Sequence, residues 1–157
     1  MAQGEIKHFN IRVYGLVIND SEEVLLSDEY VLDQKMTKFP GGGLQFGEGP
    51  EDCIRREARE EFGQEINIMK HFYTTGFFQR ALFFEDHQLI SIYYRIQLTQ
   101  PGKLKTTEKP FDFPELVNGN QSFRWARIKS LKIEDLTFPI DQHVLKLLKA
   151  EFACISK

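Results

Sequence analysis

A mixed α/β fold is predicted by three observations on this chain. Several short runs are dense in branched and aromatic residues, which marks strands. The segment 51–62 places apolar residues at helical spacing beside a crowd of carboxylates, and a second apolar-periodic segment follows Phe138-Pro139, a pair suited to opening a helix. At 157 residues, with 41% hydrophobic and 13% aromatic content, the chain can bury one sizeable core. Residues 1–157 are therefore expected to form a single domain.

Taken in order, strands are expected over 9–18 and 24–27, then an extended stretch 37–39 that runs into the glycine turn Pro40-Gly41-Gly42-Gly43. The helix over 51–62 follows, with Ile54, Ala58 and Phe62 at i, i+4 and i+8 as its apolar stripe. Branched and aromatic runs at 66–78, 89–98 and 122–128 supply further strands. Val144, Leu145, Leu147 and Leu148 give the last helix its apolar face. A mixed sheet with helices packed on its faces results. The polar stretch 102–120 is the long candidate loop, and loops of that length in compact domains are often functional or mobile.

The helix over 51–62 carries the chemistry. Glu57, Glu60 and Glu61 stand at i, i+3 and i+4, so their carboxylates gather on one face. Neighbouring carboxylates repel one another, which calls for a cation between them. Hard oxygen ligands that leave coordination positions open suit Mg²⁺ or Mn²⁺, ions that keep waters and accept phosphate oxygens. Gly41, Gly42 and Gly43 allow close backbone approach, so that a carbonyl near Gly42 can face the metal. A solvated helix face balanced by Arg55, Arg56 and Arg59 is the plainer reading of the same residues.

The order Gly42, five residues, Glu48, seven residues, Arg56-Glu57-Ala58, one residue, Glu60-Glu61, one residue, Gly63 resembles the box of the Nudix hydrolases, enzymes that cleave a diphosphate linked to a moiety X. Gln64 stands where the family usually has an aliphatic residue, and Gln45 where many members carry glutamate. The resemblance implies an α/β/α sandwich, a metal-dependent pyrophosphohydrolase, and a brace between Glu48 and Arg56. It also implies metal ligation by Glu57, Glu60, Glu61 and the Gly42 carbonyl, with Gly63 closing the motif. Glu61 is the favoured general base, and Glu108, Asp112 and Glu115 of the long loop are alternatives. Phe123-Arg124-Trp125-Ala126 and then Phe138-Pro139 resemble the ending of members that act on nucleoside triphosphates, which places Asp141 or Gln142 near a base. The window beyond the box holds Gln79, Arg80, Ala81 and Leu82, without the proline or tyrosine marker of the ADP-ribose and dinucleoside-polyphosphate subgroups.

Arg12 and Arg80 are candidate phosphate or base-side contacts, and Phe39 is a candidate aromatic wall. The expected substrate is a nucleotide-type small molecule. A net charge of −3 disfavours nonspecific nucleic-acid binding, which is mostly electrostatic. A ligand-sensing protein on the same fold and an enzyme acting on RNA 5′ ends stay open as alternatives, as does a homodimer. No run approaches the roughly 20 apolar residues of a membrane span, and the start lacks an apolar leader. A cytoplasmic protein with Cys53 and Cys154 reduced is expected.

Overall fold

The structure, a computed structural model, describes residues 4–155. Among the described residues the chain forms seven strands and two α-helices: β1 (His8–Val17), β2 (Glu23–Val31), β3 (Gln34–Lys38), β4 (Gly41–Gly43), α1 (Pro50–Phe62), β5 (Ile66–Thr74), β6 (His87–Leu98), β7 (Asn120–Arg127) and α2 (Pro139–Ile155). This is the mixed α/β fold that the sequence predicts. The strands divide into a four-stranded sheet ordered β4-β1-β6-β5 and a three-stranded sheet ordered β3-β2-β7. No helix among the described residues is long and apolar enough to cross a membrane.

The chain falls into two compact units, and the first comprises the residues up to Gly15 together with Gly41–Thr99. Within it, β1 pairs antiparallel with β4, setting Arg12 opposite Gly43, Val13 opposite Gly42 and Tyr14 opposite Gly41. The glycine run expected as a turn is thus an edge strand. Helix α1 packs on β4 and β5, burying Cys53, Ile54 and Ala58, while Phe62 is only half-buried. Pro50 opens the helix, where a missing N–H costs nothing. The Asp52 carboxylate accepts from the Gly49 N–H at 2.8 Å, and Gly63 ends the helix in the left-handed region at φ 65°.

Strand β5 ends at Thr74, short of the expected 78. The chain leaves the strand there and folds back, with Leu89 N–H donating to the Gln79 carbonyl at 2.8 Å and Ala81 N–H to that of His87 at 2.9 Å. A hairpin arm therefore stands where the aromatic run suggested a longer strand.

The second unit holds Leu16–Pro40 and the residues from Gln100 onward. Strand β2 runs four residues past the expected 27, through Asp28 and Glu29. Acidic residues disfavour strands, but here each is paired. Asp28 is fully buried and accepts from Arg124 Nε and Thr37 Oγ1, both at 2.7 Å. Glu29 accepts from Ser27 Oγ and pairs with Lys38, both at 3.0 Å. The turn into β3 is Leu32-Asp33, both at positive φ, joining Val31 to its partner Gln34. A two-residue hairpin loop favours that geometry, although its usual Asn-Gly residues are absent.

Residues 102–120 lie along this sheet by specific bonds. Thr107 N–H donates to the Phe123 carbonyl and Gly119 N–H to that of Tyr30, both at 2.7 Å. Leu32 N–H donates to Asn118 Oδ1 at 2.9 Å. Helix α2 buries Ile140, Val144, Leu145, Leu148 and Phe152, and Lys149 Nζ ties it to the Ile128 carbonyl at 2.8 Å. Reciprocal bonds between Thr37 and Thr137 fasten β3 to the segment that opens α2.

Candidate active site on the acidic helix

The residues of the glycine and glutamate motif converge within the first unit. Arg56 is their hub. Its Nη2 donates to Glu48 Oε1 at 2.7 Å and its Nε to Glu48 Oε2 at 3.0 Å, a two-pronged contact that fixes the guanidinium plane. The same Nη2 reaches the Gly43 carbonyl at 3.0 Å, which ties α1 to the edge strand. Nη1 donates to Glu57 Oε1 at 2.9 Å and Glu60 Oε2 at 3.3 Å. The positive charge called for among the carboxylates is in part supplied by the chain itself.

The electrostatics follow from these contacts. Arg56, helped by the Gln45 N–H, holds the Glu48 carboxyl down at about 2 despite partial desolvation. Glu48, followed by Glu57, strengthens the Arg56 charge in turn. Burial, then Glu48, pushes the Cys53 thiol up to about 12, so Cys53 is a packing residue whose Sγ donates to the Gly43 carbonyl at 3.5 Å, not a nucleophile.

A pH dependence is the consequence. Folding depresses the Glu48 pKa from 4.5 to about 2, so its contribution to stability is fully present above pH 4.5 and is lost as pH falls through about 2. Glu48→Gln should therefore lower the urea midpoint relative to wild type near neutrality, and the gap should close on acidification through that window. Glu51→Gln, on the exposed start of the helix, should produce no such gap.

Gly42 shows why the strand carries no side chain. A Cβ built there would lie 2.1 Å from Glu57 Oε1 and 2.4 Å from its carboxyl carbon, so the Glu57 carboxylate occupies the space that a Cβ would fill. At Gly41, φ is +152° and a Cβ would sit 2.1 Å from the Val13 carbonyl oxygen, so that position demands glycine for the strand pairing itself.

Among the described residues no three His, Cys, Asp or Glu side chains form a ready-made metal cluster. The donor set nevertheless fits a hard divalent cation. Glu57 is held against the Gly42 backbone, and the Glu60 side chain is 57% exposed. Its contact with Arg56 is a pair of the i,i+4 type worth about 0.3–0.5 kcal/mol, so turning Glu60 toward a ligand costs little. Glu61 is half-buried on the same helix.

Arg12 lies on β1 beside the glycine strand, its Nη1 3.7 Å from where a Gly43 Cβ would stand. Arg80 is engaged elsewhere: its Nη1 donates to the Gly4 carbonyl at 3.0 Å and also to that of Glu85, which stiffens the hairpin arm. In the second unit Phe39 is fully buried, as core packing requires. Asp141 is 1% exposed in the first turn of α2, where a negative charge suits the helix dipole. Gln142 Nε2 donates to the Leu136 carbonyl at 2.8 Å. Glu108, Asp112 and Glu115 are solvent-exposed. Tyr14, which receives Arg12, escaped the sequence reading; only its i+2 spacing on a strand could have pointed to it.

The family model of the NUDIX domain matches residues 8–148. This chain belongs to the Nudix family. Among solved structures it is similar to the ORF135 protein of E. coli, at 18% identity and a TM-score of 0.65, covering 94% of this chain and 93% of that one. It is also similar to a MutT protein from Methanosarcina mazei, at 17% identity, TM-score 0.63 and coverage of 92% and 96%. A third structure, described as a UDP-X diphosphatase, matches at 16% identity and TM-score 0.57, covering 95% of this chain and 66% of that one. At these identities the likeness is one of fold.

Proposed function

We propose that this Nudix protein is a metal-dependent pyrophosphohydrolase whose substrate is a diphosphate linked to a moiety X, a nucleoside di- or triphosphate or a related nucleotide. The observation that carries this reading is the glycine strand at Gly42 with the Glu57 carboxylate set into its open side. A solvated Glu/Arg helix has no need of a side-chain-free strand against its carboxylates.

Glu57, Glu60, Glu61 and the Gly42 carbonyl would hold Mg²⁺ or Mn²⁺. A cation bound there would neutralise the diphosphate, lower the pKa of a water and stabilise the charge that builds during displacement. The chain supplies the rest. Water adds to one phosphorus as the bridging P–O bond breaks, and the Glu61 carboxylate takes its proton. The Arg56 and Glu48 brace keeps α1 seated on the glycine strand, because displacing reacting groups by about 1 Å costs on the order of 10² in rate. Glu108, Asp112 and Glu115 are alternative bases, but their exposure on 102–120 favours Glu61.

The test is phosphate and pyrophosphate release from a panel of nucleoside di- and triphosphates, nucleotide sugars, ADP-ribose and dinucleoside polyphosphates, with Mg²⁺ or with chelator. Turnover of at least one class in Mg²⁺ alone is expected. Binding without turnover across the panel would favour the sensing alternative.

A further inference from the structure

The glycine strand β4 has two open sides, and different charges stand on them. Gly42 turns toward α1, where Glu57 fills its missing Cβ. Gly41 and Gly43 turn to the opposite face of the sheet. There the nearest side chains to their missing Cβ atoms are Tyr14 and Arg12. A strip of bare backbone at the sheet edge thus separates carboxylates from a guanidinium.

That guanidinium is held in place. Arg12 Nε donates to the Tyr14 hydroxyl at 2.7 Å, and its Cζ stands 5.7 Å from the Tyr14 ring centroid. Tyr14 is 6% exposed, and its ring packs on the fully buried Tyr93, centroids 5.2 Å apart. A ring so enclosed has one position, and a guanidinium bonded to it through Nε presents its Nη edge in a set direction. That edge lies beside Gly43.

We propose that Arg12 is a phosphate-oxygen anchor on the face of the glycine strand opposite α1, and that Tyr14 is its positioning residue. The ligand class is an oxyanion of the substrate diphosphate or of a phosphate next to it. The inference rests on the proposed pyrophosphohydrolase reading but engages it at a separate step, because Arg12 binds and does not activate water. A diphosphate lying over the edge strand meets carboxylates with their cation on one side and a fixed guanidinium on the other. Arginine suits the second position because its planar fork matches phosphate oxygens.

Inorganic pyrophosphate binding, measured by calorimetry in Mg²⁺, tests this apart from turnover. Arg12→Ala should weaken binding roughly tenfold or more, since a hydrogen bond to a charged group is lost, and Arg12→Lys should recover part of it. Tyr14→Phe, which keeps the ring and removes the hydroxyl, should weaken binding by a smaller factor. In the Arg12→Ala background Tyr14→Phe should add nothing, because Tyr14 acts through Arg12. On any substrate turned over, Arg12→Ala and Tyr14→Phe should raise KM more than they lower kcat. Pyrophosphate binding unchanged in Arg12→Ala, absent in wild type, or weakened additively by the two substitutions would overturn the anchor. Loss of turnover across the whole panel with the binding pattern intact would instead overturn the hydrolase reading.

Discussion

Glu60→Gln should reduce Mg²⁺-dependent turnover by at least about 10²-fold, the scale on which removing one charge-stabilising group acts, while the protein unfolds at the wild-type temperature. The two outcomes separate because of where Glu60 sits. Its side chain is 57% exposed and touches Arg56 at 3.3 Å, and substitutions at such surface positions usually change stability by less than about 0.5 kcal/mol. Glutamine keeps the size and loses the anion, so only an electrostatic task is removed. Steady-state turnover beside a thermal melt reads both. Full activity in Glu60→Gln would remove Glu60 from the ligand set.

Gly42→Ala carries the second large effect, and Gly41→Ala is its control. At Gly42 the added methyl would meet Glu57 Oε1 at 2.1 Å. That atom is the end of a flexible side chain, so the carboxylate swings away and the strand survives. Activity should fall on the order of 10²-fold, as displacement of a reacting group implies, with a nearly unchanged melting curve. At Gly41 the added methyl would meet the Val13 carbonyl oxygen at 2.1 Å, at φ +152°. No rotamer relieves a backbone collision, so Gly41→Ala should lose folded protein as well as activity. Circular dichroism and turnover on both variants check the contrast. Equal loss of fold in both would mean that Gly42 serves the strand alone.

The parts of this molecule that were legible in the sequence are those whose contacts are local. Helix α1 is legible because Ile54, Ala58 and the glutamates recur at helical spacing inside it and Gly63 closes it, and the Glu48–Arg56 contact spans only eight residues. The extent of β2 was hidden because the partner that neutralises Asp28, Arg124, lies 96 residues along the chain. Read alone, Asp28-Glu29 looks like the end of a strand. The β2–β3 turn was hidden because Leu32 and Asp33 adopt positive φ without glycine, held in part by the Asn118 side chain at 2.9 Å. Arg80 was a candidate phosphate or base-side contact in the sequence, and its bond to the Gly4 carbonyl, 76 residues away, was beyond the reach of any local pattern. The side-chain arrangement around Arg56 shows the same limit. Spacing places three glutamates on a face, yet only the folded packing shows Arg56 reaching Glu57, Glu60 and the Gly43 carbonyl at once.

Mn²⁺ titration followed by electron paramagnetic resonance measures whether the α1 carboxylates hold a hard divalent cation against the glycine strand, without any assumption about the substrate. Wild-type protein should deplete the free Mn²⁺ signal to a defined stoichiometry, and the double variant Glu57→Gln, Glu60→Gln should leave it largely undepleted while still folded. Mn²⁺ binding of wild-type strength in the folded double variant would mean that the cation is not held by Glu57 and Glu60.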